Sequence, residues 1–508
     1  MLSPLDLGLK PGSWRPNQEE AIDETIDSDE DVVIIDAPTG SGKSVLALGI
    51  AQKTLQKTFV LTHTKSLQAQ YMDEANGLAR TIMGKANYRC SMWDVDRWQA
   101  SKLGINRQTT VDIAPCASGF ECPIKNQCTY FVERRRAIAS PISIHNYAYW
   151  LPESTYVGGF RGAGYIIADE GHLLDGIISD FESIDLSLNV LNTLNLEIPD
   201  NPERLKQWVS WAQDAETYCW DKEKNIEQPS IEKTRWRSRA LLLSRLATLP
   251  LDDDLRRVVE WDVRTGLRVR PVWPSGVRKT MLDRKGNKLV IMSGTILDPK
   301  FFSQIMNIPE YKYIKLPWTF PAGSRPIYYR PAAKVTRDNM VAAAPNLSRV
   351  VDYIIDAHGI EKGVIHSRSF DLGRDVYKHM KLQDRVIFHE RGQDTRAVVE
   401  RFKRDHTGKW LLSPSVSHGE DFAYDIARCQ VILKMPYPDL HDPVVRIRAR
   451  QVPAWYYYKT AQDLVQEIGR VSRAMDDYGE TWIIDSAFED VLRKFPQCIP
   501  EEIREAIV

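Results

Sequence analysis

The fold is decided by Val32-Val33-Ile34-Ile35-Asp36-Ala37-Pro38-Thr39-Gly40-Ser41-Gly42-Lys43-Ser44, a hydrophobic run that passes directly into a glycine-rich loop. The first four residues predict a buried strand, and residues 45–55 after the loop have helical character. This order predicts a phosphate-binding loop, because backbone N–H groups and the helix amino terminus can surround phosphate oxygens. A chance turn before a helix is the less favoured alternative.

The same loop supplies the expected ligands of ATP and Mg²⁺. Lys43 is placed to reach the β- and γ-phosphates, and the Ser44 hydroxyl to bind Mg²⁺. The rest of the predicted cradle consists of Thr39, Gly40, Ser41 and Gly42.

A second nucleotide motif, Asp169-Glu170-Gly171-His172, follows a predicted strand at residues 165–168. We expect Asp169 to hold Mg²⁺ through water and Glu170 to polarise the attacking water as a general base. His172 is expected to couple the nucleotide state to a neighbouring domain. Gly171 stands where alanine is commoner, and we expect this small-for-small change to leave the chemistry in place. A carboxylate pair that caps a helix is the alternative.

A third candidate element reads Gln466-Glu467-Ile468-Gly469-Arg470-Val471-Ser472-Arg473. Helical spacing would place Gln466, Arg470 and Arg473 near one face, where two cations can stabilise charge on a transferring phosphoryl group. Arginines on a helix face are more often simply solvated, so this catalytic interpretation depends on the two upstream motifs.

Four cysteines lie between the two nucleotide motifs, with 25, 5 and 5 residues between successive members: Cys90, Cys116, Cys122 and Cys128. Four thiolates suit either a tetrahedral zinc ion or a [4Fe–4S] cluster. Zinc sites favour pairs about two to four residues apart. The spacing therefore favours the iron–sulfur cluster over zinc, with unrelated core cysteines as a third alternative.

The overall composition is that of an ordinary globular chain, with 508 residues, 43% hydrophobic residues and a formal net charge of −1. Without a strong net charge, a nucleic-acid partner would have to be held in a local groove. No secretory signal and no apolar run of the ~20 residues that span a bilayer is present. We expect no membrane partner and a cytoplasmic location, nucleoid-associated in a bacterium or in the host cytoplasm for a virus.

The succession of strands and helices predicts an α/β fold with two parallel-sheet domains, the first of them interrupted twice. The first interruption holds the cysteines. The second, from about residue 182 to residue 261, has apolar residues at helical spacing and is expected to be all-helical.

Together these motifs resemble the XPD/DinG family of superfamily 2 iron–sulfur DNA helicases, and specifically a compact DinG-like member. Further matching stretches are Arg15-Pro16-x-Gln18, Thr62-His63-Thr64, Gly84-Lys85-x-Asn87-Tyr88-x-Cys90, Asn146-Tyr147-x-Tyr149, Ser293-Gly294-Thr295-Ile296-Leu297 and Lys362-Gly363-Val364-Ile365. The resemblance implies that Gln18 contacts adenine. His418-Gly419-Glu420-Asp421 departs from the family's Glu-Gly-x-Asp pattern at His418, whose role stays open, while Asp421 matches.

The resemblance also implies two RecA-like motor domains and their boundaries. Motor domain 1 would comprise residues 1–88, 137–181 and 262–316. An iron–sulfur domain would occupy residues 89–136, a helical arch residues 182–261, and motor domain 2 residues 317–508.

The implied activity is DNA-stimulated ATP hydrolysis that drives 5′→3′ translocation on single-stranded DNA and parts a duplex at the cluster domain. Expected partners are single-stranded DNA and 5′-tailed or forked duplexes, bound by a monomer. Candidate DNA contacts are Thr62, Thr64, Ser367 and Arg368. Two alternatives stay open: a translocase without processive unwinding and, less favoured, a redox-sensing nucleic-acid-binding protein.

Overall fold

The structure of the protein is a computed structural model, which describes residues 3–38, 40–250, 256–318, 321–414, 422, 424–471 and 477–508. Four residues singled out in the sequence lie outside this range: Thr39, His418, Asp421 and Arg473.

Sixteen strands are present within the described ranges. They are β1 (Val32–Asp36), β2 (Thr58–Thr62), β3 (Ala79–Thr81), β4 (Ile142–Asn146), β5 (Ala163–Ala168), β6 (Ile184–Ser187), β7 (Arg257–Asp262), β8 (Gly266–Pro271), β9 (Gly286–Ser293), β10 (Lys312–Lys315), β11 (Ile327–Ala333), β12 (Gly363–His366), β13 (Val386–Phe388), β14 (Trp410–Ser413), β15 (Cys429–Ile432) and β16 (Glu480–Asp485).

Nineteen α-helices accompany these strands in the same part of the chain. They are α1 (Gln18–Asp27), α2 (Lys43–Thr54), α3 (Lys65–Glu74), α4 (Met92–Val95), α5 (Arg97–Lys102), α6 (Thr129–Ala139), α7 (Tyr147–Pro152), α8 (Leu174–Glu182), α9 (Leu188–Leu194), α10 (Leu205–Lys224), α11 (Ile231–Ala247), α12 (Pro299–Ile305), α13 (Met340–Ala357), α14 (Phe370–His379), α15 (Thr395–Arg404), α16 (Pro443–Gln451), α17 (Pro453–Ile468), α18 (Phe488–Lys494) and α19 (Glu501–Arg504).

Two parallel sheets form the framework, which confirms the predicted α/β fold class. The first has seven strands in the order β10-β1-β9-β5-β2-β4-β3, and the second has six in the order β11-β16-β15-β12-β14-β13. Strands β1, β2 and β5 are buried along their whole length, as expected for a parallel sheet with helices on both faces.

The two sheets share hydrophobic packing. One buried cluster contains Phe59 and Ile166 of the first sheet together with Tyr458, Leu464 and Ile483 of the second domain. A shared apolar core of this kind holds the two domains against each other through burial rather than through surface charge alone.

The second interruption differs from the sequence expectation. Strands β6, β8 and β7 form a three-stranded antiparallel sheet on which α10 and α11 pack. The expectation of an all-helical insertion is therefore wrong, and the predicted boundary at residue 261 falls inside this sheet. Strands β6 and β7 were missed because each is short, and because β6 pairs with β8 about 80 residues later in the chain, which no local pattern reveals.

No helix in the described ranges is both long enough and apolar enough to cross a membrane.

Candidate active site

The two nucleotide motifs meet at one edge of the first sheet. Strand β9 lies between β1 and β5, so the carboxyl ends of these three strands are neighbours. The phosphate-binding loop follows β1, the Asp169 motif follows β5, and Ser293 ends β9. Ala37 N donates to Ser293 O at 2.8 Å, which fixes the start of the loop against β9.

The conformation of the loop depends on Gly42 and Gln18. Gly42 precedes α2 with φ of 77°, and an added Cβ would lie 2.6 Å from Gln18 Nε2. Gln18 Nε2 donates to Ser41 O at 2.7 Å, while its Oε1 accepts from Arg15 N at 2.8 Å. Gln18 is thus buried behind the loop and supports its conformation through these hydrogen bonds. The contact of Gln18 with adenine, which the family resemblance implies, stays a prediction.

The loop has a buried hydroxyl group that could bind a phosphate oxygen. Ser41 Oγ is buried and has no hydrogen-bond partner among the described residues. Ser44 lies buried in the first turn of α2, and Lys43 is half-buried beside it. Burial raises the pKa of Asp36 and of Asp169 to about 6, and the charge of Lys43 opposes both shifts, so the lysine lies near the strand-end carboxylates.

Asp169 is held in place from two sides. Tyr71 Oη donates to Asp169 Oδ2 at 2.8 Å, and Glu170 N donates to Asp169 Oδ1 at 2.8 Å. Burial, and then the charge of Glu170, raise the pKa of Asp169 to about 6. A fixed, buried carboxylate of this kind is suited to a divalent cation, which would offset the cost of its ionised form.

Gly171 is required by the packing behind Asp169 and Glu170. An added Cβ would lie 2.3 Å from Ile291 Cγ2 and 3.3 Å from Met292 O on the neighbouring strand. An alanine here would overlap with a fully buried side chain, so Gly171 matters for packing, while the expectation that the glycine leaves the chemistry in place stays a prediction. Glu170 adds local strain, with φ of 53° at a non-glycine residue.

A chain of polar contacts links the Asp169 motif to the second domain. His172 Nδ1 lies 3.4 Å from Glu170 Oε2 and 2.9 Å from Ser293 Oγ. Ser293 Oγ lies 3.2 Å from Thr295 Oγ1, which accepts from Gln466 Nε2 at 3.1 Å. Every side chain in this series of contacts is buried or half-buried, so the series forms a continuous link between the two domains.

Helix α17 adds two contacts that the sequence reasoning missed. Gln462 Nε2 donates to Thr295 O at 2.9 Å, and Tyr458 Oη donates to Ile296 O at 2.5 Å. Tyr458, Gln462 and Gln466 are spaced four residues apart, a signal that could have identified this helix face. Tyr71 carried no such signal, because its contact with Asp169 joins residues 98 positions apart.

The predicted arginine pair is placed differently from expectation. Helix α17 ends at Ile468, so Arg470 follows in a turn and does not continue the helical face of Gln466. Gly469 ends the helix. Arg470 is nevertheless buried in this region, whereas Arg473 lies outside the described residues. The catalytic roles of both arginines stay predictions.

The four candidate DNA contacts have different environments. Thr64 is exposed and caps α3 by accepting from Leu67 N. Thr62 and Ser367 are fully buried, with hydroxyls directed at main-chain carbonyls. Arg368 forms an ion pair of 3.0 Å with buried Glu467. A phosphate contact at the latter three residues would therefore require their present partners to be exchanged.

A largely apolar pocket with several polar side chains at its border lies beside Thr64, at the carboxyl ends of β2 and β4. Its volume is about 380 Å³, and its lining includes Lys65, Lys85, Asn146 and Tyr149. Lys65 Nζ donates to Asn87 Oδ1 at 2.6 Å. This hydrogen bond joins α3 to the residues just before the cysteine segment, by which we mean residues 89–136. Two lysines, amides and an aromatic ring are side chains of the kind with which proteins bind a single nucleic-acid strand.

A larger cleft of about 1270 Å³ separates the two sheet domains near α8 and α16. Three ion pairs cross this cleft from one domain to the other. Arg448 lies 3.5 Å from Asp175, Lys459 lies 3.2 Å from the same carboxylate, and Arg270 binds Asp442 through two bonds of 2.8 and 3.0 Å. These pairs connect the two domains, and their charges compensate one another.

The four predicted cluster ligands share one segment of the fold. Cys90 and Cys128 are buried, and Cys116 and Cys122 are half-buried. Burial, and then the neighbouring thiols Cys122, Cys90 and Cys128, raise the pKa of Cys116 to about 12. The mutual effect shows that the four thiols face a common space, and a bound metal would favour their ionised form.

The spacing of the sulfurs bears on which group they could hold. Among these four residues, all within the described ranges, no three Sγ atoms lie within 4.8 Å of one another. A tetrahedral zinc ion with Zn–S bonds of about 2.3 Å needs sulfurs about 3.8 Å apart. The identity of the group that these four thiols bind stays a prediction.

Two family descriptions match this chain. Residues 12–184 match "Type III restriction enzyme, res subunit", and residues 354–504 match "Helicase C-terminal domain". The first range contains the phosphate-binding loop and the Asp169 motif, and the second contains α17.

Known proteins resemble parts or the whole of the chain. "Regulator of telomere elongation helicase 1 homolog" of Drosophila willistoni is 32% identical over 125 residues, which are 21% of this chain and 12% of that relative. Its counterpart in Drosophila yakuba is 35% identical over 135 residues, 23% of this chain and 14% of the relative. The matched region is thus a small part of each relative's length.

Solved structures match over nearly the whole chain. The structure named "XPD_Helicase" has a TM-score of 0.65 at 16% identity and covers 96% of this chain and 98% of its own. "Structure of S. tokodaii Xpd4" has a TM-score of 0.60 at 15% identity and covers 97% and 99%. At these identities the likeness shows the fold alone. The chain therefore has the fold of these XPD structures, and its residues 354–504 match a helicase domain family.

Proposed function

We propose that this protein is an ATP-dependent DNA helicase that moves 5′→3′ along single-stranded DNA and separates a duplex ahead of it. The observation that carries the proposal is the contact chain from Glu170 and His172 through Ser293 and Thr295 to Gln466. It joins the predicted hydrolytic residues of one sheet domain to a helix of the other. Hydrolysis at one end can therefore change how the two domains are held.

The chemistry at the nucleotide would follow from residues already described. Lys43 and the amino terminus of α2 would bind the phosphates, and Ser44 and Asp169 would hold Mg²⁺. Glu170 would orient and polarise the attacking water, and Arg470 with Arg473 would neutralise charge on the transferred phosphoryl group. ATP and Mg²⁺ are the cofactors that this residue set requires.

The nucleic-acid strand is proposed to cross the carboxyl ends of β2 and β4 beside Thr64 and the Lys65–Lys85 pocket. This position adjoins the cysteine segment, and Ser118 Oγ of that segment lies 3.0 Å from Thr234 Oγ1 of α11. The cysteine segment and the helical arch therefore touch, and together with the first sheet they can border a passage for a strand. Binding would be mainly to phosphates and so show little sequence preference.

We further propose that Cys90, Cys116, Cys122 and Cys128 hold a [4Fe–4S] cluster, which supplies a covalent cross-link within the segment. About 50 residues with few regular elements cannot bury enough apolar surface for an independent core. The cross-link would keep the segment rigid where strands are parted. Visible absorption and iron content of anaerobically purified protein test this point separately from the motor activity.

The decisive experiment compares 5′-tailed and 3′-tailed duplexes with the same base-paired region. Strand separation is followed by fluorescence, and ATP hydrolysis is measured in parallel on wild type and Lys43→Ala. We expect separation of the 5′-tailed duplex alone and loss of both activities in the variant. Hydrolysis without separation would favour the translocase, and activity that survives Lys43→Ala would refute a motor mechanism.

A further inference from the structure

A second group of soft-metal ligands lies in the second sheet domain, far along the chain from the four cysteines. His358, Cys429 and Glu480 each direct one donor atom to a common point, and these three atoms lie within 4.8 Å of one another. It is the one such group within the part of the chain that the structure describes. Cys429 and Glu480 are buried, and His358 is nearly so.

The backbone sets this convergence rather than chance side-chain positions. Cys429 begins β15 and Glu480 begins β16, and the two residues are direct register partners in adjacent parallel strands. His358 follows the last residue of α13 as its C-cap and reaches the same strand ends. Three separate elements therefore contribute one ligand each.

The hydrogen bonds of His358 fix which ring nitrogen faces the group. His358 Nδ1 lies 2.6 Å from Ile354 O, a carbonyl that can only accept, so Nδ1 carries the proton. In the neutral ring, Nε2 then presents a lone pair to Glu480 Oε1, with which it makes its closest contact. Two acceptors facing each other need a cation between them or a second proton on the ring. A histidine whose other nitrogen donates to a carbonyl is a common arrangement of metal ligands.

Glu480 is oriented in the same manner. Trp482 Nε1 donates to Glu480 Oε1 at 2.8 Å, and Tyr478 Oη donates to Glu480 Oε2 at 3.1 Å. Both donors are near neighbours of Glu480 in the chain and hold its carboxylate toward His358 and Cys429. Such outer hydrogen bonds orient a ligating carboxylate.

We propose that His358, Cys429 and Glu480 form a zinc site that ties the end of α13 to the first residues of β15 and β16. One imidazole nitrogen, one thiolate and one carboxylate are ligands that Zn²⁺ accepts in tetrahedral sites. The second Glu480 oxygen or a water completes the coordination. Binding requires the His358 and Glu480 atoms to move slightly apart. The site is structural, and it does not rest on the proposed helicase activity.

The alternative for the same residues is a metal-free arrangement, in which protonated His358 pairs with ionised Glu480 beside a neutral thiol. Zinc content distinguishes the two. Protein is incubated with Zn²⁺, freed of unbound metal, and analysed for zinc per chain in wild type, His358→Gln, Cys429→Ser and Cys219→Ser. Cys219 is a fully buried thiol in α10 with no metal-ligand neighbours in this group, so it is the matched control.

We expect His358→Gln and Cys429→Ser each to lose one zinc per chain, and Cys219→Ser to lose none. Unchanged zinc in the first two variants would overturn the proposal. A second measurement uses only the wild-type protein, so its result does not depend on whether the variants fold. The alkylation rate of each cysteine is followed by peptide mass spectrometry in the presence of Zn²⁺ and in the presence of a chelator. Zinc should slow the alkylation of Cys429 several-fold and leave Cys219 unchanged. Equal rates at Cys429 under both conditions would also overturn it.

Discussion

Replacement of Gly171 by alanine tests the packing behind the nucleotide motif. The added Cβ would lie 2.3 Å from Ile291 Cγ2, at least 1 Å closer than an ordinary carbon contact of about 3.5 Å. Ile291 is fully buried in β9, between β1 and β5, so its Cγ2 cannot swing into solvent. Overpacking of this kind costs about 1–3 kcal/mol. For a domain of this size it should lower the Tm by about 2–10 °C.

Two substitutions of Ile291, each used as a background for Gly171→Ala, separate this steric clash from a general loss of stability at the site. Ile291→Ala removes the obstructing methyl group, whereas Ile291→Val shortens the side chain but keeps a γ-methyl at the same place. We expect Gly171→Ala to lower the Tm in wild type and in Ile291→Val, and to have little further effect in Ile291→Ala. Thermal unfolding by differential scanning fluorimetry measures all six proteins. An equal loss in both backgrounds, or no loss in wild type, would refute the packing argument.

Three further predictions concern the polar network and the interface. Thr295→Val leaves the amide of Gln466 without its acceptor at a cost of about 1–3 kcal/mol; nucleic-acid-stimulated ATP hydrolysis should fall about tenfold while nucleotide affinity, measured by fluorescence titration, stays unchanged. Because burial raises the pKa of Asp169 to about 6, its ionised form destabilises the nucleotide-free protein above that pH. Asp169→Asn should therefore raise the Tm at pH 8, by the equivalent of roughly 2–3 kcal/mol, and the gain should shrink as the pH falls through 6 toward 4; a gain independent of pH would contradict this cause. Asp442→Asn retains the helix cap but weakens the pair with Arg270, and should lower the Tm by about 1–4 °C at low salt and less at high salt.

The sequence determined the candidate ligands and the local frame of the proposed nucleotide site. A β-branched run, a glycine-rich loop and a helix place Lys43 and Ser44 by short-range geometry alone, and a strand that ends in Asp169 does the same for its carboxylate. Because the carboxyl ends of parallel strands share one edge of a sheet, the meeting of the two motifs could also be predicted. The same local rules predicted two parallel-sheet domains and the two interruptions of the first domain.

Tertiary structure decided the features that depend on which distant residues become neighbours. Gly171 is favoured over alanine only because β9 inserts between β1 and β5 and brings Ile291 against it. Tyr71 positions Asp169, and the end of α17 leaves Arg470 off the face of Gln466, for reasons that no local pattern contains. The antiparallel sheet of the arch and the meeting of His358 with Cys429 and Glu480 likewise come from pairing across long stretches of chain. Sequence periodicity reports which face of an element is buried, but the identity of the partner across that face is fixed only by packing.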